Sequence, residues 1–209
     1  MLSRLQEEVA ELIVGLDEAE GFALAGGAAL ILRGEVQRTT RDLDFFGLTS
    51  EAVEALVPAV ERALRADGLE VRRVRTAPGF ARLLVERGED TTEVDIGADA
   101  RLFPSEPSRL APTLSAQELA VDKVLAVFGR AEARDFADLM DVEPQHGFDH
   151  LCQLAAEKDR GFDLHVFAEM LDRFERLRRD EFELDDARYE RLTNLVETWR
   201  QQAIDLAAR

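Results

Sequence analysis

The stretch RTTRDLDFFG, residues 38–47, places Asp42 and Asp44 two apart, with Leu43 between them and Phe45-Phe46 after. A strand alternates its faces with period two. Asp42, Asp44 and Phe46 therefore point one way, and Leu43 and Phe45 point the other. Two carboxylates on one strand face repel each other unless a cation lies near both. Taken alone, the pair is as readily a solvent-facing strand edge as a binding site.

The sequence just upstream favours a site. In GFALAGGAALILRGE, Phe22–Ala25 reads as a short apolar strand broken by Gly26-Gly27, and Ala28–Leu32 begins a helix that stops near Gly34. A glycine turn opening into a helix presents backbone N–H groups at a helix N-terminus, where anions bind. Downstream, TTEVDIG places Glu93, Asp95 and Gly97 on one strand face and Val94 and Ile96 on the other. If this strand neighbours the first, three aspartates converge on an oxygen-only site for a hard cation. Mg²⁺ suits such a site because it keeps room for phosphate oxygens and water. Two such ions about 4 Å apart hold the attacking and leaving oxygens of a displacement at phosphorus.

The run GFALAGGAALILRGEVQRTTRDLDFF resembles the nucleotidyltransferases of the AbiEii/AbiGii toxin family, within the DNA polymerase β-like superfamily. The matching positions are Gly26, Gly27, Arg38, Thr40, Asp42 and Asp44. A second block, SAQELAVDKVLAVFGRAEARDFADLMDV, is similar to the family's later helices through Lys123, Arg134, Asp135 and Asp138. The resemblance spans about residues 20–175. It implies an α+β fold: a polymerase β-like core with a mixed sheet over residues 1–112, then a helical bundle over 113–209 that completes the cleft. It implies that Asp42 and Asp44 are metal ligands, and that Asp95 is the third ligand and the base, with Glu93 and Asp99 as its competitors. Gly26, Gly27, Arg38, Thr40, Arg41 and Lys123 would contact an NTP. The cofactor would be Mg²⁺ or Mn²⁺. The reaction would move an NMP to a hydroxyl of a tRNA 3′ end, a protein or a small molecule, in the toxin of a toxin–antitoxin pair with a cognate antitoxin. The alternative is a non-catalytic protein of the same fold that binds a nucleotide or a partner.

The remaining sequence fills in this frame. Residues 3–19 and 51–66 carry amphipathic helical stripes, the second with Pro58 inside it. Residues 69–75, 80–86 and 91–97 read as a meander joined at Pro78-Gly79 and Gly88-Glu89-Asp90. Residues 101–113, with three prolines, read as a connector. Helices are expected at 115–128, 132–142, 147–158, 163–179 and 186–207. Arg134 can pair with Asp138 at i, i+4.

Bulk composition narrows the partners. The net charge of −17 disfavours broad, non-specific binding to nucleic acid, although the cluster Arg72-Arg73-Val74-Arg75 is locally basic. No apolar run is long enough to span a membrane, and the N-terminus lacks the apolar core of a signal peptide. The single cysteine, Cys152, excludes an internal disulfide framework, and the expectation is a cytoplasmic protein. Cys152 lies among Leu151 and Leu154 and reads as a buried apolar thiol. His146 and His150 are four apart, but Gly147 interrupts them and no third ligand is near.

Overall fold

A computed structural model describes residues 1–208. The chain forms two compact units, Met1–Ser115 and Ala116–Arg209.

The first unit is built on a mixed five-stranded sheet. Its strands are β1 (Ala23–Ala25), β2 (Asp42–Gly47), β3 (Glu70–Ala77), β4 (Phe80–Arg87) and β5 (Asp90–Ala98), in the order β1-β2-β5-β4-β3. Strands β3, β4 and β5 form the expected antiparallel meander. Strand β5 then returns parallel to β2, and β1 pairs antiparallel on the far side of β2. The parallel pairing joins the two acidic segments.

Period-two alternation sorts the faces. Leu43, Phe45, Ala81, Leu83, Val85, Val94 and Ile96 are buried, on the side covered by helices α1 (Arg4–Val14) and α3 (Ser50–Ala66). Those helices supply Leu5, Val9 and Ile13, and Val53, Leu56, Val60 and Leu64. Burying side chains of this size contributes about 1.5–3 kcal/mol each before entropy is counted. The opposite face carries Asp42, Asp44 and Phe46 from β2, Glu93, Asp95 and Gly97 from β5, and Phe80, Arg82 and Leu84 from β4. Helix α2 (Gly26–Arg33) starts directly from β1, two residues earlier than the sequence pattern suggests.

Some boundaries differ from the sequence reading, for local reasons. The first helix stops at Val14, where Gly15 closes it, and a 3₁₀ turn follows at Asp17–Ala19. Its start is fixed by a capping box between Ser3 and Gln6. Helix α3 contains Pro58 on an exposed position and runs on to Ala66. Strand β3 extends to Ala77 with a register shift between Arg73 and Arg75. Arg73 in the basic cluster is engaged by Glu61 of α3 at 2.9 and 3.1 Å.

The second unit contains α4 (Ala116–Gly129), α5 (Ala133–His146), α6 (Phe148–Lys158), α7 (Leu164–Leu171) and α8 (Asp186–Ala207). The expected helix over 163–179 ends at Leu171 and continues as a 3₁₀ segment, Asp172–Arg176. Phe174 in that segment lies 5.4 Å from Phe136, 5.2 Å from Phe182 and 5.8 Å from Tyr189, ring centre to ring centre. Packing into this aromatic group, worth about 0.5–1.5 kcal/mol per pair, competes with regular helix propagation. Among the described residues no helix is long and apolar enough to cross a membrane.

Gly47 tests the sheet packing. A methyl group there would lie 2.7 Å from the ring of buried Phe22. Gly47→Ala is expected to destabilise the protein by about 1–3 kcal/mol, because the ring has to shift. Urea unfolding monitored by circular dichroism measures this, and an unchanged midpoint would contradict the packing described.

Candidate active site

The register of β1 with β2 sets the site. Ala25 is the partner of Asp44, so the next residue, Gly26, meets the Asp44 side chain. Gly26 has φ +57°, a left-handed conformation that glycine adopts without steric cost. A Cβ on Gly26 would lie 1.9 Å from Asp44 Oδ2. A Cβ on Gly27 would lie 2.6 Å from Arg38 Nη2 and 3.1 Å from Thr40 Oγ1. The glycine pair is therefore the surface against which Asp44, Arg38 and Thr40 are seated. The positive end of the α2 dipole faces them, which stabilises a carboxylate or a phosphate there.

The loop before β2 is held in several places. The Thr40 hydroxyl donates to Asp42 Oδ1 at 2.6 Å. Buried Gln6 donates from Nε2 to the Thr40 carbonyl at 3.1 Å. Thr92 on β5 donates from its hydroxyl to the Arg41 carbonyl at 3.1 Å, and the Glu93 N–H donates to the same oxygen at 3.2 Å. The Arg41 backbone is thus fixed while its side chain is exposed. Arg38 donates to the Thr39 carbonyl at 2.8 Å, and the N-terminal ammonium of Met1 donates to the Arg38 carbonyl.

The parallel register sets Asp42 opposite Glu93 and Asp44 opposite Asp95. Asp99 falls beyond the end of β5, about 13 Å along the strand from Asp95 at ordinary strand rise. The structure thus brings Asp42, Asp44 and Asp95 onto one face, as the sequence pattern anticipates. Asp95 is engaged there by a neighbouring arginine. Both oxygens of Asp95 accept hydrogen bonds from Arg82, Oδ1 from Nε and Oδ2 from Nη2, each at 2.6 Å. Arg82 Nη1 also lies 3.2 Å from Glu93. The hydrogen bonds to Asp95, with the charges of Asp95, Glu93 and Asp42, outweigh partial burial and hold the Arg82 guanidinium protonated well above its usual range.

Among the described residues no group of three or more His, Cys, Asp or Glu side chains is placed to hold a metal ion. Asp42 and Asp44 form the carboxylate pair that could hold a cation. It suits Mg²⁺, which commonly takes one or two carboxylates and completes its shell with phosphate oxygens and water.

Lys123 lies in the second unit and is buried, with 7% of its side chain exposed. Its ammonium is 2.8 Å from Asp138 and 3.5 Å from Asp135. Arg130 adds two hydrogen bonds to Asp135, at 2.7 and 2.8 Å. Lys123 thereby ties α4 to α5 through two acids, and Arg134 donates to Glu132 at 3.0 Å. A second buried lysine, Lys158, donates to Glu118 at 2.7 Å and to Asp122. Burial pushes the Cys152 thiol up to about 12, as expected of an apolar thiol. His146 closes α5 and His150 opens α6, where it meets Gln117.

Sequence reasoning missed Gln6, Arg82, Thr92 and Lys158. Arg82 alternates with Phe80 and Leu84, but nothing local fixes its register against Asp95.

A single mixed sheet with a glycine-initiated helix beside two paired acids defines the nucleotidyltransferase class of fold. The solved structure of JHP933 from Helicobacter pylori has a similar fold, with a TM-score of 0.55, 19% identity, and coverage of 100% of this chain and 91% of that one. Another solved structure from H. pylori, of a protein provisionally named a nucleotidyltransferase, gives a TM-score of 0.54 at 19% identity, covering 98% and 91%. Curated proteins give no significant match. Residues 11–206 match the family described as nucleotidyl transferase AbiEii toxin, type IV toxin–antitoxin system, and the chain belongs to that family.

The helical ion pairs make a prediction about acid. Burial raises the Asp135 carboxyl, but the Arg130 hydrogen bonds and the Lys123 and Arg130 charges outweigh it, so the carboxyl sits below its usual value. Its stabilising contribution is fully present above about pH 4, the unfolded value, and is lost as pH falls through the folded one. Asp135→Asn is expected to cost on the order of 3 kcal/mol at neutral pH, with the difference from the parent narrowing below pH 4. Thermal unfolding at pH 7 and pH 3 measures both. A difference that grows on acidification would contradict the assignment.

Proposed function

We propose that this protein transfers a nucleoside monophosphate from an NTP to a hydroxyl acceptor and acts as the toxin of a type IV pair with a cognate antitoxin. One observation carries the reading: the Asp44 carboxylate rests on Gly26 at the first residue of α2. That contact puts a cation ligand and an anion-binding helix terminus side by side, which is what a metal–triphosphate needs.

The residues divide the work. Asp42 and Asp44 hold Mg²⁺ or Mn²⁺, and Thr40 orients Asp42 through its hydroxyl. Gly26 and Gly27 let the phosphates approach the start of α2 without obstruction from a side chain. Arg38, lying against Gly27, is placed to donate to a phosphate oxygen as a planar fork. Arg41 is exposed beside the same loop and can meet the phosphates from solvent. The bound ion offsets charge on the phosphates and favours ionisation of the acceptor hydroxyl. Lys123 is not given a phosphate, because its ammonium is engaged by two buried carboxylates.

The acceptor classes are a tRNA 3′ end, a protein side chain and a small molecule. Net charge −17 favours an acceptor recognised locally over one gathered by a broad basic surface. Asp42→Asn and Asp44→Asn are each expected to weaken Mg²⁺-dependent binding of labelled NTPs by about 100-fold or more with folding retained. Equilibrium binding with each of the four NTPs measures this. Parent-like binding by both variants would overturn the site. Labelled NTP incubated with total RNA, cell extract or small hydroxylic compounds then identifies the acceptor.

A further inference from the structure

We infer that Phe46 and Phe80, closing over Gly97, form the platform on which the base of the NTP stacks. This rests on the metal–NTP reading above and adds the far end of the same substrate.

Cross-strand register lays three rows of side chains on the face of the sheet opposite α1 and α3. Asp42, Glu93 and Leu84 make the first, Asp44, Asp95 and Arg82 the second, and Phe46, Gly97 and Phe80 the third. The third row is aromatic at both ends and has no side chain at its centre. A Cβ on Gly97 would lie 3.2 Å from Cδ1 and Cε1 of Phe46 and 3.4 Å from Cδ2 of Phe80. Both rings therefore lean toward β5, one from each neighbouring strand. Each is half-buried, and among the described residues neither pairs with another aromatic ring. Packing against α1 and α3 does not account for them, because that core lies on the other face. Arg75 on β3 reaches over the Phe80 ring, 5.6 Å from its centre, and steadies it by a cation–π contact.

Position decides the occupant. Strand β1 runs antiparallel to β2, passes Phe46 at Ala23 and Asp44 at Ala25, and then turns into α2 at Gly26. The glycine cradle thus lies beyond Asp44, on the side away from Phe46. Phe46 is two residues from Asp44, about 7 Å at ordinary strand rise. A nucleotide with its phosphates at the start of α2 and its metal at Asp44 extends its sugar and base toward the third row. Every base has a π-face, so an aromatic platform takes bases with little regard to which one it meets. Stacking there fixes the direction in which the nucleotide lies, with its phosphates toward Gly26 and Gly27.

The test compares Mg²⁺-dependent binding of ATP, GTP, CTP and UTP with that of inorganic tripolyphosphate, on the full chain, by titration calorimetry. The parent is expected to hold at least one NTP more tightly than tripolyphosphate. Phe46→Ala and Phe80→Ala, with folding checked by circular dichroism, are each expected to weaken that NTP by about 5-fold to 100-fold and to leave tripolyphosphate within about twofold. If the alanine variants do not fold, Phe46→Leu and Phe80→Leu, which keep apolar bulk without a π-face, carry the same expectation. A parent that holds no NTP better than tripolyphosphate, folded variants with parent-like NTP binding, or an equal loss for both ligands would each overturn the inference alone. Loss of total-RNA binding with NTP binding unchanged would put an acceptor base on the rings and overturn it as well. A parent that binds neither NTP nor tripolyphosphate would overturn the metal–NTP reading and this inference with it.

Discussion

The contact between the Asp44 carboxylate and the backbone of Gly26 is the constraint on which the site depends. It exists because β1 and β2 pair with Ala25 beside Asp44, and because the next residue turns with φ +57° and carries no Cβ. Any other side chain at Gly26 would occupy the space of the carboxylate oxygen. The same turn starts α2, so the positive end of the helix and the acid meet at one point. Arg38 and Thr40 close on Gly27 by the same geometry.

The sheet arranges charge as well as shape. On its open face, acids from β2 and β5 lie beside an arginine from β4, and the buried face is apolar. A mixed topology is required for this: the parallel β2–β5 pairing aligns Asp42 with Glu93 and Asp44 with Asp95. The second unit handles charge differently. There Lys123 and Lys158 are buried, each paired with two acids, and these pairs hold α4 against α5 and α6. A buried lysine with two carboxylates is costly to break and fixes which helices meet.

Much of this was legible in the sequence. Alternation gave the faces of β2 and β5, the turn residues gave the meander, and the glycine pair marked the turn that opens α2. The resemblance supplied the family, and the family match over residues 11–206 agrees with it. What escaped was set by register and by long-range partners. Nothing near Arg82 in the chain shows that it falls opposite Asp95, where it engages the carboxylate. Gln6 reads as one more residue of an amphipathic helix, yet it caps α1 and ties Thr40 and Thr92 together. The acids that meet Lys123 lie 12 and 15 positions ahead, on the next helix, where nothing local to the lysine marks them.

The most direct test of the central claim is the anomalous scattering of a crystal soaked in Mn²⁺. The account predicts a peak within about 2.1–2.3 Å of oxygens from both Asp42 and Asp44, beside the Gly26–Gly27 turn. A peak coordinated by Asp95 with Arg82 displaced, or a protein that binds Mn²⁺ only away from these two aspartates, would contradict it.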